Sequence, residues 1–213
     1  MDEAAMWQVL DDERAGLADL LGSLTAGQWA HPSLCAGWTV REVAAHLSLG
    51  PRIGLGTFLV EIVRARGGFN RLVDGTARRE AVRPRDELVA ALRAASGSRH
   101  LAPGQRLPDA MMDVLVHGQD IALPLGIDRP MPLEAARVSA EHIWHRGFPF
   151  HPDRRLRGFR LTATDVSWSA GDGDDVQAPI ATLLLLLTGR YAVLPGLTGP
   201  GAAALIARSA ATH

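Results

Sequence analysis

The sequence TVREVAAHL, residues 39–47, contains the clearest helix start in the chain. Thr39 precedes Glu42 by three residues, which is the spacing of a capping box in which the two residues bond to each other's backbone N–H groups. Apolar residues then recur every three or four positions, as in a helix that buries one face: Val40, Val43, Ala44 and Leu47. The segment therefore predicts a buried helix that begins after Thr39.

Helical periodicity extends over the first two thirds of the chain. Apolar positions predict further helices over residues 7–24, 85–98 and 109–123. The helix after Thr39 is predicted to kink or break at Gly50-Pro51 and to continue over residues 53–63. The Arg-rich segment 67–83 predicts a polar loop. Four helices joined by modest loops are typical of an up-down four-helix bundle.

The pattern changes after Pro130. Residues 133–144 predict one more helix, whereas residues 159–164 and 166–168 alternate with the period of two that strands have. A Gly- and Asp-rich turn precedes a short strand at Val176, and further helices are predicted over 183–187 and 202–207. We therefore expect an α+β protein, with a helical bundle over residues 1–128 and a small α+β domain over residues 129–213.

Composition excludes several classes of function. The 213 residues include 22 basic and 23 acidic side chains, so the net charge of -1 gives no basic field for nucleic acid. The longest apolar run, Leu183–Leu187, is far shorter than the ~20 residues of a membrane helix. The single cysteine, Cys35, fits a reducing compartment, and the first residues lack a signal-peptide pattern. We expect a cytoplasmic monomer or homodimer that binds neither nucleic acid nor membranes.

Three side chains indicate a metal site. Asp113 and His117 are four residues apart in a predicted helix, so both project from one face among apolar neighbours. His46 is a polar residue in the otherwise apolar helix after Thr39. Two imidazoles and one carboxylate can hold a divalent ion with one coordination position open. The residues alone also allow a surface Asp–His pair and a hydrogen-bonded core histidine.

Other motifs are interpreted as structural. His142 and His145 lack the His-Glu-x-x-His order of a metalloprotease and are predicted to lie at a solvated helix end. The aspartates at 172–175 lack the spacing of a calcium loop and fit a polar hairpin turn. The glycines at 196–201 lack the strand–helix context of a dinucleotide site. Cys35 is interpreted as a small buried apolar residue.

Two segments resemble the mycothiol-dependent maleylpyruvate isomerase family, a branch of the DinB-like metal-binding bundles. They are SLCAGWTVREVAAHL at residues 33–47 and DVLVHGQD at residues 113–120. A weaker similarity, over residues 165–190, is to the family's small C-terminal domain, which is related in fold to sterol carrier proteins. The resemblance implies that His46, Asp113 and His117 are metal ligands. The family usually has Glu in place of Asp113, which is one methylene shorter, so a ligand role requires closer helices or a bridging water.

The resemblance also implies a reaction, isomerisation or S-transfer with mycothiol as thiol cosubstrate. Zn²⁺, or another divalent metal, deprotonates a coordinated thiol, whereas a free thiol with a pKa of about 8.5 stays mostly protonated at neutral pH. The thiolate could add to an activated double bond and leave again, or stay attached to the electrophilic substrate. Arg190 is a candidate to bind substrate carboxylates, and it could equally be a surface arginine that complements a helix C-terminus. Asp120 is a candidate to hydrogen-bond a ligand, and it could also be a solvated residue.

Two alternatives belong to other classes of function. The bundle could be a non-catalytic small-molecule-binding or regulatory protein, which the shorter side chain of Asp113 favours. It could also be a DinB-like hydrolase that uses metal-bound water without a thiol. A measurement of metal content distinguishes the non-catalytic binding protein, which would contain no metal, from an enzyme. A measurement of thiol dependence distinguishes the hydrolase, which would need no thiol, from the thiol-dependent enzyme.

Overall fold

The computed structural model describes residues 1–211 and divides into two compact units. The first, Asp2–Arg129, contains the helices α1 (Glu3–Ser23), α2 (Ala26–Trp29), α3 (Val40–Leu49), α4 (Leu55–Arg64), α5 (Phe69–Glu80), α6 (Arg85–Ala94) and α7 (Leu107–Ala122). The second begins at Pro130 and contains α8 (Leu133–Arg146), α9 (Pro152–Arg155), β1 (Gly158–Ala163), β2 (Ser169–Gly171), β3 (Gly173–Ala178), α10 (Ile180–Leu187) and α11 (Ala202–Ala210). The predicted α+β class is confirmed.

The core of the first unit is a four-helix bundle. α1 packs against α6 and α7, and α3 packs against the same two helices. Each helix contributes apolar side chains that are at most 2% exposed, such as Leu17, Val43, Leu88 and Leu115. Burial of each such side chain contributes about 1.5–3 kcal/mol. The bundle predicted from the helical periodicity is therefore confirmed.

α3 begins where the capping box predicts. The backbone N–H of Thr39 donates to Glu42 Oε2 at 2.8 Å, and the Thr39 hydroxyl accepts a hydrogen bond from the N–H of Arg41 at 3.2 Å. These bonds satisfy N–H groups that have no partner within the helix. They fix the first turn of α3, and therefore the face from which His46 projects two turns later.

The prediction of a polar loop over residues 67–83 is wrong. This segment contains α5, whose residues Leu72 and Ala77 are buried and which packs against α3. Arginine is itself a good helix former, so a polar, Arg-rich segment becomes helical once one face is covered. At Gly50-Pro51 the helix breaks, one of the two outcomes predicted there, because a 3₁₀ turn containing Pro51 separates α3 from α4.

The C-terminal unit contains a small sheet in the order β2-β1-β3. β1 pairs antiparallel with β2 and parallel with β3, so the chain crosses the end of β1 between Gly171 and Gly173. Both glycines have positive φ, and a side chain at Gly173 would collide with the carbonyl oxygen of Gly158. The hairpin turn predicted for residues 171–175 is therefore wrong, and a crossover takes its place.

Residues 166–168 do not form the predicted strand. They belong to a tight turn in which the N–H of Ala163 donates to the carbonyl of Trp168 at 2.9 Å. Asp165 Oδ1 in this turn accepts a hydrogen bond at 2.9 Å from the N–H of Ile180, at the start of α10. α10 is eight residues long, and none of the helices within residues 1–211 has the length and hydropathy needed to cross a bilayer.

Candidate metal centre

α3 and α7 pack side by side and bring the three predicted ligands together. His46 lies in the last turn of α3, and Asp113 and His117 lie one turn apart on α7. One nitrogen of each histidine and one oxygen of Asp113 lie within 4.8 Å of one another. Oδ1 of Asp113 lies between the rings, 3.5 Å from His46 Nε2 and 3.4 Å from His117 Nε2.

These two distances fit the edges of a coordination tetrahedron. Nitrogen and oxygen ligands about 2.05 Å from a zinc ion, at the tetrahedral angle, lie about 3.35 Å from one another. A normal N–H···O hydrogen bond is shorter, at about 2.7–3.2 Å. Asp113 is thus spaced from each imidazole as two ligands of one ion would be. Asp113 also approaches both imidazoles directly, although it is one methylene shorter than Glu.

Asp113 and His117 stabilise each other's charged form. Burial by itself raises the pKa of Asp113, but the charges of His46 and His117 outweigh burial and hold that pKa far below its usual range. Burial lowers the pKa of His117, but the charge of Asp113 and hydrogen bonds with three neighbouring side chains outweigh it and raise that pKa well above its usual value. A divalent ion would replace the imidazolium charge, because histidine ligands bind metals in their neutral form.

The second ring nitrogen of His117 faces a buried carboxylate. His117 Nδ1 lies 2.7 Å from Oδ2 of Asp120, whose side chain is 0% exposed. When Nδ1–H donates to this carboxylate, the lone pair of Nε2 is directed toward Asp113 and His46. The structure therefore places Asp120, predicted from the sequence to bind a ligand, behind His117, where it orients the ring.

Cys35 belongs to the same network, so its interpretation as an apolar packing residue is wrong. Its Sγ lies 3.0 Å from Asp120 Oδ2 and 3.6 Å from His117 Nδ1. These three side chains form a second group close enough to share a metal ion. The loop that carries Cys35 is bonded to α7, because the N–H of Leu34 donates to the carbonyl of Asp120 at 3.1 Å. The quoted segment 33–47 contains Cys35, but sequence spacing gives no signal of where its thiol points.

Trp38 packs against the histidine pair. The centroid of its ring lies 5.7 Å from that of His46 and 6.3 Å from that of His117, and the side chain is largely buried. Its indole Nε1–H donates to Asp74 Oδ1 at 2.8 Å. Asp74 belongs to α5, so the helix that the sequence did not predict supplies the acceptor that fixes this ring.

The other predicted residues lie in the C-terminal unit. Arg190 follows α10, and its Nη1 donates to the carbonyl of Thr188 at 2.8 Å. His145 on α8 is exposed and lies 2.8 Å from Glu141 Oε1, as predicted for a solvated helix end. Among the residues that the structure describes, neither His145 nor His142 belongs to a group of three potential metal ligands.

Comparison with known proteins identifies relatives. Residues 10–111 match the family model described as the mycothiol maleylpyruvate isomerase N-terminal domain. Two crystal structures are similar over 95% of this chain and 94% of their own, each with a TM-score of 0.64. One is of the mycothiol-dependent maleylpyruvate isomerase, at 15% identity, and the other is of a histidine-to-alanine mutant of it, at 14% identity. No curated protein matches the chain.

Fold and site together define a helical bundle with a cluster of potential metal ligands, followed by a small α+β unit. Residues 10–111 of this bundle match the model of the mycothiol maleylpyruvate isomerase N-terminal domain, which confirms the resemblance seen in the sequence. The matched residues include His46 and end before Asp113 and His117. At 15% identity, the structural similarity establishes the shared fold of the chain and assigns no role to individual residues.

Proposed function

We propose that the protein is a metal-dependent enzyme that uses mycothiol either to isomerise a small electrophile or to form an S-conjugate with it. The observation that carries the proposal is the meeting of His46, Asp113 and His117, with Asp113 at the spacing of a tetrahedral ligand from each imidazole. The family match over residues 10–111, and similar structures named for a mycothiol-dependent isomerase, support an enzyme and indicate the thiol.

In this proposal His46, Asp113 and His117 hold Zn²⁺ or another divalent ion. One carboxylate oxygen and two imidazole nitrogens suit Zn²⁺, and three protein ligands leave one coordination position for a reactant. When bound, the ion supplies a Lewis acid that favours the deprotonated form of a thiol. Asp120 keeps the proton of His117 on Nδ1, so that Nε2 is available as a ligand.

The accessible side of the cluster determines where reactants approach. The side chain of Asp113 is 29% exposed and that of His46 is 20% exposed, whereas that of Asp120 is 0% exposed. Trp38 packs against both imidazole rings. Thiol and electrophile therefore approach from the side of Asp113.

For Arg190 we propose that it binds a carboxylate of the electrophile. A guanidinium group forms two parallel hydrogen bonds with a carboxylate, a geometry that an ammonium group cannot reproduce. Arg190→Lys should therefore raise the KM for a carboxylate-bearing electrophile and leave the zinc content unchanged. Arg160→Lys, at an exposed arginine of β1 that bonds to Ser169, is the matched control and should change neither quantity.

The deciding experiment measures metal content and thiol dependence on the purified protein. We expect one zinc per chain, and conversion of maleylpyruvate that requires both zinc and mycothiol and is lost on chelation and restored by zinc. A stable protein that binds no metal would contradict the proposal in favour of a non-catalytic binding protein. Zinc-dependent hydrolysis that proceeds without any thiol would contradict it in favour of a hydrolase.

A further inference from the structure

A pocket lies beside Asp113 in the bundle. All four core helices contribute to its wall, which combines apolar residues that include Leu10, Leu47, Leu92 and Val114 with the polar side chains of Arg14, Gln105 and Asp113. The pocket is small and partly open to solvent. Because Asp113 itself lies in the wall, the pocket adjoins the proposed metal centre on its accessible side.

Arg14 of α1 is the cation in this wall. Arg14 is only 5% exposed. Its Nη1 donates hydrogen bonds to the carbonyls of Ala95 at 3.0 Å and Ser98 at 3.3 Å. Within residues 1–211, the two other nitrogens of this guanidinium form no hydrogen bond and the group forms no ion pair. Arg14 therefore brings unused donors and a positive charge to the pocket wall.

A buried charge without a counter-ion is energetically costly. Burial lowers the pKa of Arg14, and the more distant charges of Asp11 and Asp113 oppose that effect only in part. Arg129, a half-buried arginine of this unit, is paired directly with Glu13. Arg14 is more deeply buried and lacks the close anion that Arg129 has.

We propose that the pocket binds the carboxylate of a small organic acid through Arg14, and that the leucine and valine side chains of its wall hold the carbon chain of that acid. A guanidinium binds a carboxylate with high geometric specificity, and the attraction between the two charges is stronger in a site shielded from water. The second part of the inference rests on the proposed function: the acid is the electrophile, whose chain extends from Arg14 toward the metal centre at Asp113.

The test uses propionate and its neutral isostere propionamide, which have the same shape and differ in charge. We expect NMR titration of the full chain, with and without zinc, to give at least about tenfold tighter binding of propionate. Arg14→Gln should weaken propionate binding by about 10- to 100-fold, since hydrogen bonds to a charged group contribute about 1.5–3 kcal/mol. Arg14→Lys keeps the charge and should lose less. Arg129→Gln, which removes an arginine away from the pocket, should bind propionate like the parent.

Equal binding of propionate and propionamide by the parent, or parent affinity in Arg14→Gln, would overturn the inference. If Arg14→Gln does not fold, titration of the parent protein tests the inference by itself. The NMR resonance of its Arg14 Nε–H must then shift with propionate and not with propionamide. These titrations contain neither thiol nor electrophile, so a protein without isomerase activity can still bind propionate at Arg14. Conversely, a zinc- and thiol-dependent enzyme whose Arg14→Gln variant keeps parent affinity would overturn this inference alone.

Discussion

The two ring nitrogens of His117 have opposite surroundings. On the Nε2 side, Asp113 and His46 are partly exposed. Oδ1 of Asp113 lies 3.4 Å from His117 Nε2 and 3.5 Å from His46 Nε2. On the Nδ1 side, Asp120 is inaccessible, and its Oδ2 lies 2.7 Å from His117 and 3.0 Å from the thiol of Cys35. One side is open and spaced for an ion, and the other is closed and joined by hydrogen bonds.

α7 supplies both carboxylates, so the difference comes from what packs against it. α3 places a second imidazole beside Asp113, whereas the loop before α3 places a thiol and a backbone N–H against Asp120. Either group of three side chains is compact enough to share a metal ion. The comparison favours the open side for the metal and the closed side for orienting His117, and variants on each side test this division.

The largest effect is expected at His117, which belongs to both sides. His117→Ala should abolish stoichiometric zinc binding and the rise in melting temperature that zinc gives the parent. A ligand at 100 times its Kd stabilises a fold by about 2.7 kcal/mol, so the lost shift is measurable by calorimetry. His145→Ala, at an exposed histidine of α8, is the control. Parent zinc affinity in His117→Ala, or loss of zinc in His145→Ala, would place the metal elsewhere.

A variant of Asp113 tests the open side alone. Loss of a residue that only hydrogen-bonds to a metal ligand lowers metal affinity by roughly 10–100-fold. Asp113→Asn removes a charged ligand itself and should lower zinc affinity by more than that. Asp113→Glu keeps the carboxylate and restores the residue usual in the family, so its zinc affinity should equal or exceed that of the parent. Both values come from competition with a chelator of known affinity. Parent affinity in Asp113→Asn would exclude Asp113 as a ligand.

A variant of Asp120 tests the closed side. Asp120→Asn weakens the hydrogen bond that orients His117 and should lower zinc affinity by about 10–100-fold while one zinc per chain still binds at saturation. Titration of zinc against the apo protein measures affinity and stoichiometry together. A larger loss of affinity in Asp120→Asn than in Asp113→Asn would assign the ion to Cys35, His117 and Asp120, and would reverse the division.

A smaller effect is expected at Cys35. Cys35→Ser keeps a donor for Asp120 and should leave zinc affinity close to that of the parent. Cys35→Ala removes one hydrogen bond, typically a net contribution of about 0.5–1.5 kcal/mol, and should weaken zinc binding by no more than about tenfold. The same zinc titration applies. Complete loss of zinc in both variants would show that the thiol is a ligand.

The smallest effect on the site is expected at the start of α3. Thr39→Ala should cost about 0.5–2 kcal/mol of unfolding free energy in urea at pH 7. Burial raises the pKa of Glu42, but hydrogen bonds from Thr39 outweigh it and hold that pKa below its ordinary value. The stabilisation is therefore present at neutral pH and is lost as the pH falls through this lowered pKa, so Thr39→Ala should cost less at pH 3.

Thr25→Ala is the matched control for that variant, because Thr25 forms the same kind of capping box with Gln28 at the start of α2. Gln28 carries no ionisable group, so the effect of Thr25→Ala should not change between pH 7 and pH 3. A pH-independent effect of Thr39→Ala would contradict the role given to Glu42.

The sequence predicted the features that depend on neighbouring residues. Thr39 and Glu42 are three positions apart, and Asp113 and His117 are four, so a single helix brings each pair together whatever surrounds it. Apolar periodicity likewise predicted the four helices of the bundle and strand β1. The link from His46 to Asp113, 67 residues away, came from resemblance to a family, because periodicity does not say which helix faces meet.

Tertiary structure alone decided what lies around those pairs. It made a helix of the Arg-rich segment 67–83, turned the thiol of Cys35 toward Asp120, and left Arg14 in the wall of a pocket without a close anion. Each outcome depends on contacts between residues distant in sequence, whose free energies outweigh local preferences of a few tenths of a kcal/mol per residue. Local spacing selects the side chains that share a face, and packing determines what that face meets.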